Sequence, residues 1–407
     1  MSVTVLRSSG IGSTMTPIER RWYATPFDFS QTVGVELSEL HIGTNLVATI
    51  GRAWRGPWSV CGMAEIDSAI RGDEEVLLFP IYAKLSPCGT QWRFRIQGWI
   101  FELEEDSAVR KATLGLLRRT LGLYSGTEEI DLFRERARWF LVDNERGKRI
   151  PVRFGERVIR LPASLASGHF DGEVSLPAAD VARLQEDGKR WIECSAITRA
   201  GDVRRFTGRV HLVGETGWSV ISDIDDTIKI TEVHDRSQMI ANTFLRPYSA
   251  PPGMADLYGA WEASVSEQEL SVHYVSNSPW QLYTYLNEFI AEKRFPSGTI
   301  HLRIFRWKDR SLVEFLSQGA KHKDATIEAL LRSFPKRRFI LVGDTGERDP
   351  EIYAEFGRKF PTQVVRIFLR VPSGEAKVDN RLRRAMRAIP EEKWQIFSDP
   401  QSITWRP

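Results

Sequence analysis

The chain has 407 residues, enough for two or three domains, and its 42% hydrophobic and 27% charged content is ordinary for a folded globular protein. A formal net charge of +3 is too small to argue for nucleic acid as the main partner, and no nucleic-acid role is expected. The three scattered cysteines, Cys61, Cys88 and Cys194, argue against a disulfide framework and for a reducing compartment.

The histidines are dispersed and show no zinc spacing. No apolar run is long enough to span a membrane. The first eighteen residues carry no acidic group and no apolar signal core, which argues against a secretory signal and leaves only a weak organellar transit peptide open. These features predict a cytoplasmic protein.

Residues 1–32 read as an irregular lead-in. Residues 33–126 read as a β-rich region with one helix. In it Trp92, Phe94, Ile96 and Ile100 alternate with Arg93, Arg95 and Gln97, as in a half-buried strand. Val76–Tyr82 is a second candidate strand, which Pro80 confines to an edge or bulge. Val109, Ala112, Leu116, Leu117 and Leu121 then recur at helical spacing. Residues 127–215 read as a sandwich-like module. Its expected strands are Ala137–Val142, Arg157–Leu161, His169–Leu176, Trp191–Ile197 and Arg204–Val213. Nothing catalytic stands out there, so binding or scaffolding is its default role.

From residue 216 to 407 strand and helix alternate, the pattern of a doubly wound parallel α/β sheet. The expected strands are Ser219–Asp223, Ser271–Val275, Thr299–Phe305, Arg338–Val342 and Gln363–Leu369. Ligands of such sheets bind beyond the carboxyl ends of the strands, so the residues after each strand carry the functional reading.

After the first strand come Asp223 and Asp225, then Thr227. Spacing two puts both carboxylates on one face of a continuing strand, and like charges that close need a cation or a proton. A magnesium site or covalent chemistry follows; a plain Asp-rich surface turn is the weaker alternative, given the apolar lead-in. After the second strand, Ser276 could hold a phosphate oxygen, while Ser278 could cap a helix starting at Pro279. Taken alone, Ser276 reads as turn chemistry. Lys323 precedes the helix Ala325–Ser333; a lysine there opposes the helix dipole and invites an anion, although a lone lysine is more often exposed. After the fourth strand comes Gly343-Asp344-Thr345-Gly346-Glu347-Arg348-Asp349-Pro350. Asp349 could cap the helix at Pro350, whereas Asp344 has no local partner. Gly343 and Gly346 would let the backbone approach an ion or phosphate.

This order of motifs resembles the haloacid dehalogenase phosphatase superfamily, over about Gly217 to Leu369. Asp223-Ile224-Asp225-Asp226-Thr227, Tyr274-Val275-Ser276-Asn277-Ser278-Pro279-Trp280, His322-Lys323-Asp324 and the Gly343–Pro350 run are similar to the phosphatidate phosphatase family typified by the fungal actin-patch protein. Lipins share the same type of first motif. Upstream, Asp73–Pro80 and Arg95–Trp99 also resemble bacterial and fungal members.

The resemblance implies a haloacid dehalogenase-type fold for residues 216–407 and a magnesium-dependent phosphatase acting on phosphatidate. Asp223 would be the nucleophile, forming an aspartyl-phosphate, and Asp225 the acid and base. Magnesium would be held by Asp223, the backbone carbonyl of Asp225 and Asp344, with Asp349 behind them or bound directly. Ser276, Asn277 and Lys323 would bind the phosphoryl group. Asp226 and Thr227 would shape the turn.

The run His301–Arg310 interleaves basic and aromatic residues, which suits an anionic membrane surface and peripheral association. An ordinary strand end reads equally well. Arg381–Arg387 is a basic helix, more often solvated than membrane-bound. Two other functions fit the same residues: a phosphatase for a soluble phosphomonoester, and an adaptor whose β domains bind partners.

Overall fold

The structure, a computed structural model, describes residues 68–103, 115, 127–185, 189–265, 270–305, 320–372 and 379–407. The irregular lead-in lies outside the described residues, as does the helix expected over Val109–Leu121 apart from helical Gly115.

The amino-terminal half is one nine-stranded sheet. It contains β1 (Glu74–Leu78), β2 (Ile81–Leu85), β3 (Gln91–Glu102), then α1 (Thr127–Ala137), β4 (Asp143–Asn144), β5 (Arg149–Phe154), β6 (Arg157–Ala163), β7 (His169–Pro177), α2 (Ala178–Leu184), β8 (Trp191–Ala196) and β9 (Phe206–Val213). The strand expected over Val76–Tyr82 is two strands, broken at Pro80, and β1 is the edge that proline predicts. A boundary at residue 126 does not divide this sheet. β3 pairs antiparallel with β7 from Gln91 opposite Pro177 to Trp99 opposite His169, and β2 pairs parallel with β9. β3 alternates exposed Arg93 and Arg95 with buried Phe94 and Ile96, and those apolar residues share one core with Val174, Leu176, Ile192 and Val210. Each part supplies one side of that core, so neither is closed alone.

Ala137–Val142 is not a strand. Residues up to Ala137 are helical and Arg138–Phe140 is a single turn of 3₁₀ helix. Phe133, Ala137 and Phe140 are all buried at helical spacing, which overrides the strand propensity of the Trp139–Phe140 pair.

The second half is a six-stranded parallel sheet. In chain order it runs β10 (Trp218–Ser222), α3 (Arg236–Phe244), α4 (Met254–Ser264), β11 (Leu270–Pro279), α5 (Tyr283–Glu292), β12 (Gly298–Arg303), α6 (Ala320–Ser333), β13 (Arg338–Asp344), α7 (Asp349–Lys359), β14 (Val364–Arg370), α8 (Asn380–Ala385) and β15 (Trp394–Phe397). The strands lie in the order β12-β11-β10-β13-β14-β15, every neighbour parallel. Successive residues feed opposite faces. Val220 packs with Phe244, Leu257 and Leu286, while Ile221 packs with Leu330, Ile352 and Tyr353. The sheet is therefore covered by helices on both sides.

The chain moves from β10 outward to β12, returns to β13 beside β10, and moves outward the other way. The connections from β10 and β13 leave in opposite directions, which opens a crevice between their carboxyl ends.

The two sheets share a seam. Phe79 stacks on Trp280 with centroids 3.8 Å apart. Arg190 Nη1 donates to Leu270 O at 3.0 Å, and Arg337 Nη1 donates to Gly214 O at 3.1 Å. Tyr82 of β2 packs against Phe334 at the end of α6, centroids 5.4 Å apart.

Candidate active site

The crevice collects the residues read from the sequence. β10 ends at Ser222, and Asp223 N continues the ladder by donating to Val342 O at 2.8 Å. The chain then coils tightly. Asp226 N donates to Lys229 O at 2.7 Å, with Asp226 itself at φ 55°. This left-handed residue is tolerated because its carboxylate accepts three backbone N–H groups, from Thr231 at 2.8 Å, Glu232 at 2.7 Å and Val233 at 2.8 Å. Asp226 thus shapes the turn, as expected. Thr227 Oγ1 donates to Asp223 Oδ2 at 3.0 Å and so also fixes the carboxylate.

Lys323 is buried at 2% exposure, against the expectation for a lone lysine. Its Nζ lies 2.7 Å from Asp223 Oδ1, and donates to Glu347 Oε2 at 2.7 Å and Asp349 Oδ1 at 2.8 Å. The contact to Asp223 is an ion pair without hydrogen-bond alignment, and Oδ1 has no aligned donor. Burial alone would lower the Lys323 pKa; Asp223, Asp349 and Glu347 together raise it well above the usual lysine value. Burial, with Asp349, Glu347 and Asp225 adding to it, holds Asp223 well above the usual carboxylate range despite Lys323.

Asp344 ends β13 across the crevice. Burial first, then Asp349 and Glu347, push it well above the usual carboxylate range. Its Oδ2 accepts Gly346 N at 2.7 Å. Asp223, Asp344 and Glu347 each offer an oxygen, and the three oxygens lie within 4.8 Å of one another.

Asp349 does not cap α7. It is the first residue of that helix, and its carboxylate turns back to Lys323 and to Asp344 N at 3.3 Å. It stands behind the crevice as the partner of Lys323. Glu347, which the sequence reading did not single out, lies by Asp223 and Asp344 instead. The two glycines serve side chains: a Cβ on Gly343 would collide with the Asp349 carboxylate and meet the Tyr353 ring at 2.7 Å. One on Gly346 would meet the His234 ring and, at 2.7 Å, Asp344 Oδ2.

Asp225 faces away from Lys323. Its Oδ1 lies 2.9 Å from Lys229 Nζ and accepts Thr231 Oγ1 at 2.8 Å; its Oδ2 accepts Ser276 Oγ at 2.8 Å and Ser278 Oγ at 3.1 Å. Burial would raise its pKa, but the charge of Lys229 and hydrogen bonds from Lys229, Thr231 and Ser276 hold it down at about 2. Ser278 therefore serves Asp225 rather than capping a helix; β11 continues to Pro279 and a 3₁₀ turn follows. Asn277 Oδ1 is buried with no hydrogen-bond partner among the described residues.

The structure thus brings Asp223, Asp225, Ser276, Lys323, Asp344 and Asp349 into one crevice, with Asp344 facing Asp223 and Ser276 bound to Asp225. Sequence reading missed Lys229, Thr231, Ser278 and Glu347. Only Lys229 had a local signal, a cation four residues after Asp225. Phe305, read as part of a membrane-facing run, is core: it is 3% exposed and meets Phe140 edge-on. Arg306–Arg310 lie outside the described residues.

Residues 218–371 match the family model described as phosphatidate phosphatase APP1, catalytic domain. The family match is confined to this segment. The match runs from the start of β10 just past the end of β14 and so contains every residue of the crevice. The chain is 36% identical over 182 residues to phosphatidate phosphatase APP1 of Saccharomyces cerevisiae, which covers 42% of this chain and 30% of the yeast protein. It is 33% identical over 171 residues to an uncharacterized protein of Schizosaccharomyces pombe, covering 41% of this chain and 27% of that one. The match therefore spans less than a third of either relative. A Parabacteroides merdae β-glucuronidase structure overlaps 73% of this chain and 34% of its own at 8% identity, with a TM-score of 0.23 too low to bear on the fold. Among the described residues no helix is long and apolar enough to cross a membrane.

Proposed function

We propose that this chain is a magnesium-dependent phosphatidate phosphatase with a haloacid dehalogenase-type catalytic domain. The observation that carries the reading is Asp223, set at the strand switch point between Lys323 at 2.7 Å and a carboxylate group formed with Asp344 and Glu347.

The donor set fits magnesium: the converging groups are all oxygen, two of the carboxylates are buried, and one Asp223 oxygen lacks an aligned donor. Asp223, Asp344, Glu347 and the backbone carbonyl of Asp225 would hold the ion, and Asp349 would hold Lys323. Magnesium would supply charge to the phosphoryl oxygens. Asp223 attacks phosphorus, forming an aspartyl-phosphate as the bond to the diacylglycerol oxygen breaks. Asp225 protonates that alkoxide. Because the resting Asp225 is ionised, the proton arrives with the substrate, on the hydroxyl of a monoanionic ester whose second pKa is about 6. Asp225 then takes a proton from the water that releases phosphate. Lys323 would neutralise the phosphoryl charge, and Asn277 would bind it through its amide N–H groups.

The lipid substrate rests on the similarity to phosphatidate phosphatase APP1 and on the basic residues Arg303, Arg306, Lys308 and Arg310. Phosphate release is the test, comparing vesicle phosphatidate with soluble phosphomonoesters. Release from phosphatidate that needs magnesium and stops with EDTA is expected. Faster turnover of a soluble ester would overturn the lipid substrate, and full activity in EDTA the metal.

A further inference from the structure

We infer that the outward face of α8 is a docking surface for an anionic lipid bilayer, tied to the catalytic loop through Arg381. The inference rests on the lipid reading above.

Asn380, Arg383 and Arg384 of α8 and Arg387 of the turn that follows it are all exposed. Leu382 and Met386 face inward, in one cluster with Phe356, Ile367 and Ile389. The four outward side chains border one open, shallow hollow.

Some helical cations are neutralised by neighbouring carboxylates, although among the described residues Arg236 of α3 and Arg358 of α7 also lack an ion pair. Arg332 and Lys359 pair with Glu328 at 2.7 and 2.8 Å, and Arg381 pairs with Glu351 at 2.7 Å. Among the described residues Arg383, Arg384 and Arg387 form no ion pair. The helix is held at both ends: Asp379 Oδ1 accepts Leu382 N at 2.8 Å, and Arg358 Nη1 donates to Ala385 O at 3.1 Å. The guanidinium fork suits phosphate oxygens. A bilayer offers many of them in one plane, whereas single-stranded nucleic acid is met with aromatic stacking, and no aromatic lines this face.

The link to the site is direct. Arg381 Nη1 donates to Thr345 O at 2.9 Å and its Nη2 donates to Glu347 O, while Glu351 grips the same guanidinium. The loop carrying Asp344 and Glu347 is thus fastened to the basic helix, which follows the carboxyl end of β14. Docking there would hold the crevice beside the lipid surface.

The test uses the full chain and vesicles of phosphatidylcholine with or without phosphatidylserine, which is not the substrate. The wild type should partition onto the phosphatidylserine vesicles, less so as salt rises. The triple variant Arg383→Gln, Arg384→Gln, Arg387→Gln should partition about 100-fold more weakly at low ionic strength, with unchanged melting temperature. A triple lysine variant should bind nearly as the wild type; if it binds as poorly as the glutamine variant, charge is not the cause and the inference falls. It falls equally if the glutamine variant partitions like the wild type, or if only binding to a DNA oligonucleotide separates the two. Charge-dependent vesicle binding without phosphatidate hydrolysis would remove the lipid-substrate reading and leave this one standing. Phosphatidate hydrolysis with unaltered partition would do the reverse.

Discussion

At the carboxyl ends of β10 and β13 four carboxylates crowd one lysine, whereas along the seam with the amino-terminal sheet four imidazoles crowd guanidinium groups. Asp223, Asp344, Glu347 and Asp349 surround Lys323. His211 of β9, His273 of β11, His301 of β12 and His322 of α6 lie along the seam, with Arg190, Arg209, Arg337, Arg303 and Lys323 as the charges that act on them. Burial penalises the charged form in both places, and so drives Asp223, Asp344 and Glu347 up and the histidines down. The seam histidines settle by staying neutral: His273 Nδ1 meets Thr299 Oγ1 at 2.7 Å, which meets His301 Nε2 at 2.9 Å. The carboxylates hold one cation for four acids. A buried cluster that wants more positive charge than the chain supplies marks a functional site; one already neutral marks a joint.

The sharpest break of this comparison is Asp223→Asn. It removes one charge from the crowded end and, on the proposed mechanism, the nucleophile with it. Turnover should fall by about 10⁴-fold or more, while the melting temperature holds or rises. Rapid-quench labelling with radioactive substrate should give no phosphoenzyme. Wild-type-like activity would end the mechanism.

Acid should act on the other cluster. His211 and His301 are held down near about 3, and His322 near about 4, chiefly by burial. In the unfolded chain each titrates near about 6.5, so below that pH the unfolded state binds the extra protons and stability falls. The loss should be roughly 1 kcal/mol per histidine for each pH unit, ending only as pH passes the folded values. Urea melts from pH 7 to 4 measure it, and His301→Gln with His322→Gln should flatten the slope. An unchanged slope would show that the seam histidines gain protons without opening it.

The same contrast explains what could be read from the chain. Asp223, Asp225, Ser276 and Asp344 were legible because each follows an apolar run that is locally a buried strand, and the end of a parallel strand is where a ligand sits. The parallel sheet was legible for the same reason. The contacts of Ser278 and Asp349 were not: each precedes or opens a run that reads as a helix start, where capping is the local expectation, and each serves a partner far along the chain, Asp225 and Lys323. Glu347 gave no signal because its place depends on how the loop after β13 folds back over Asp344. In the amino-terminal sheet most strands were found, yet the β3–β7 ladder joins residues about eighty apart, so no local pattern could report that both belong to one unit. β5 alternates Ile150, Val152 and Phe154 with Arg149 and Arg153 and was passed over despite a readable pattern.

A smaller effect separates the two demands on Asp344. In the metal-free protein its charge is a cost, because burial and the neighbouring Asp349 and Glu347 hold its pKa well above the usual carboxylate range. Asp344→Asn should therefore stabilise the metal-free fold at pH 7 by about 1 kcal/mol. Magnesium should raise the melting temperature of the wild type but barely that of the variant. Calorimetric melts with EDTA and with magnesium check this, and equal shifts in both proteins would remove Asp344 from the metal site.

The smallest expected effect concerns basic residues outside the four catalytic motifs. Arg306 and Lys308 follow β12 beyond Phe305, whose burial shows that the first part of this run belongs to the core. If the two cations contribute at the membrane, each supplies about 1 kcal/mol of attraction to anionic lipid. Arg306→Ala with Lys308→Ala should then raise the apparent KM for vesicle phosphatidate by roughly 10-fold at low salt, and less at high salt. Hydrolysis of a small soluble phosphomonoester should not change, because the Asp223–Lys323 pair and the Asp344 loop are untouched. Equal loss on both substrates would place Arg306 and Lys308 in support of the crevice or of the seam below it. A KM effect confined to vesicles would make this basic segment a contributor to lipid contact separate from the catalytic residues.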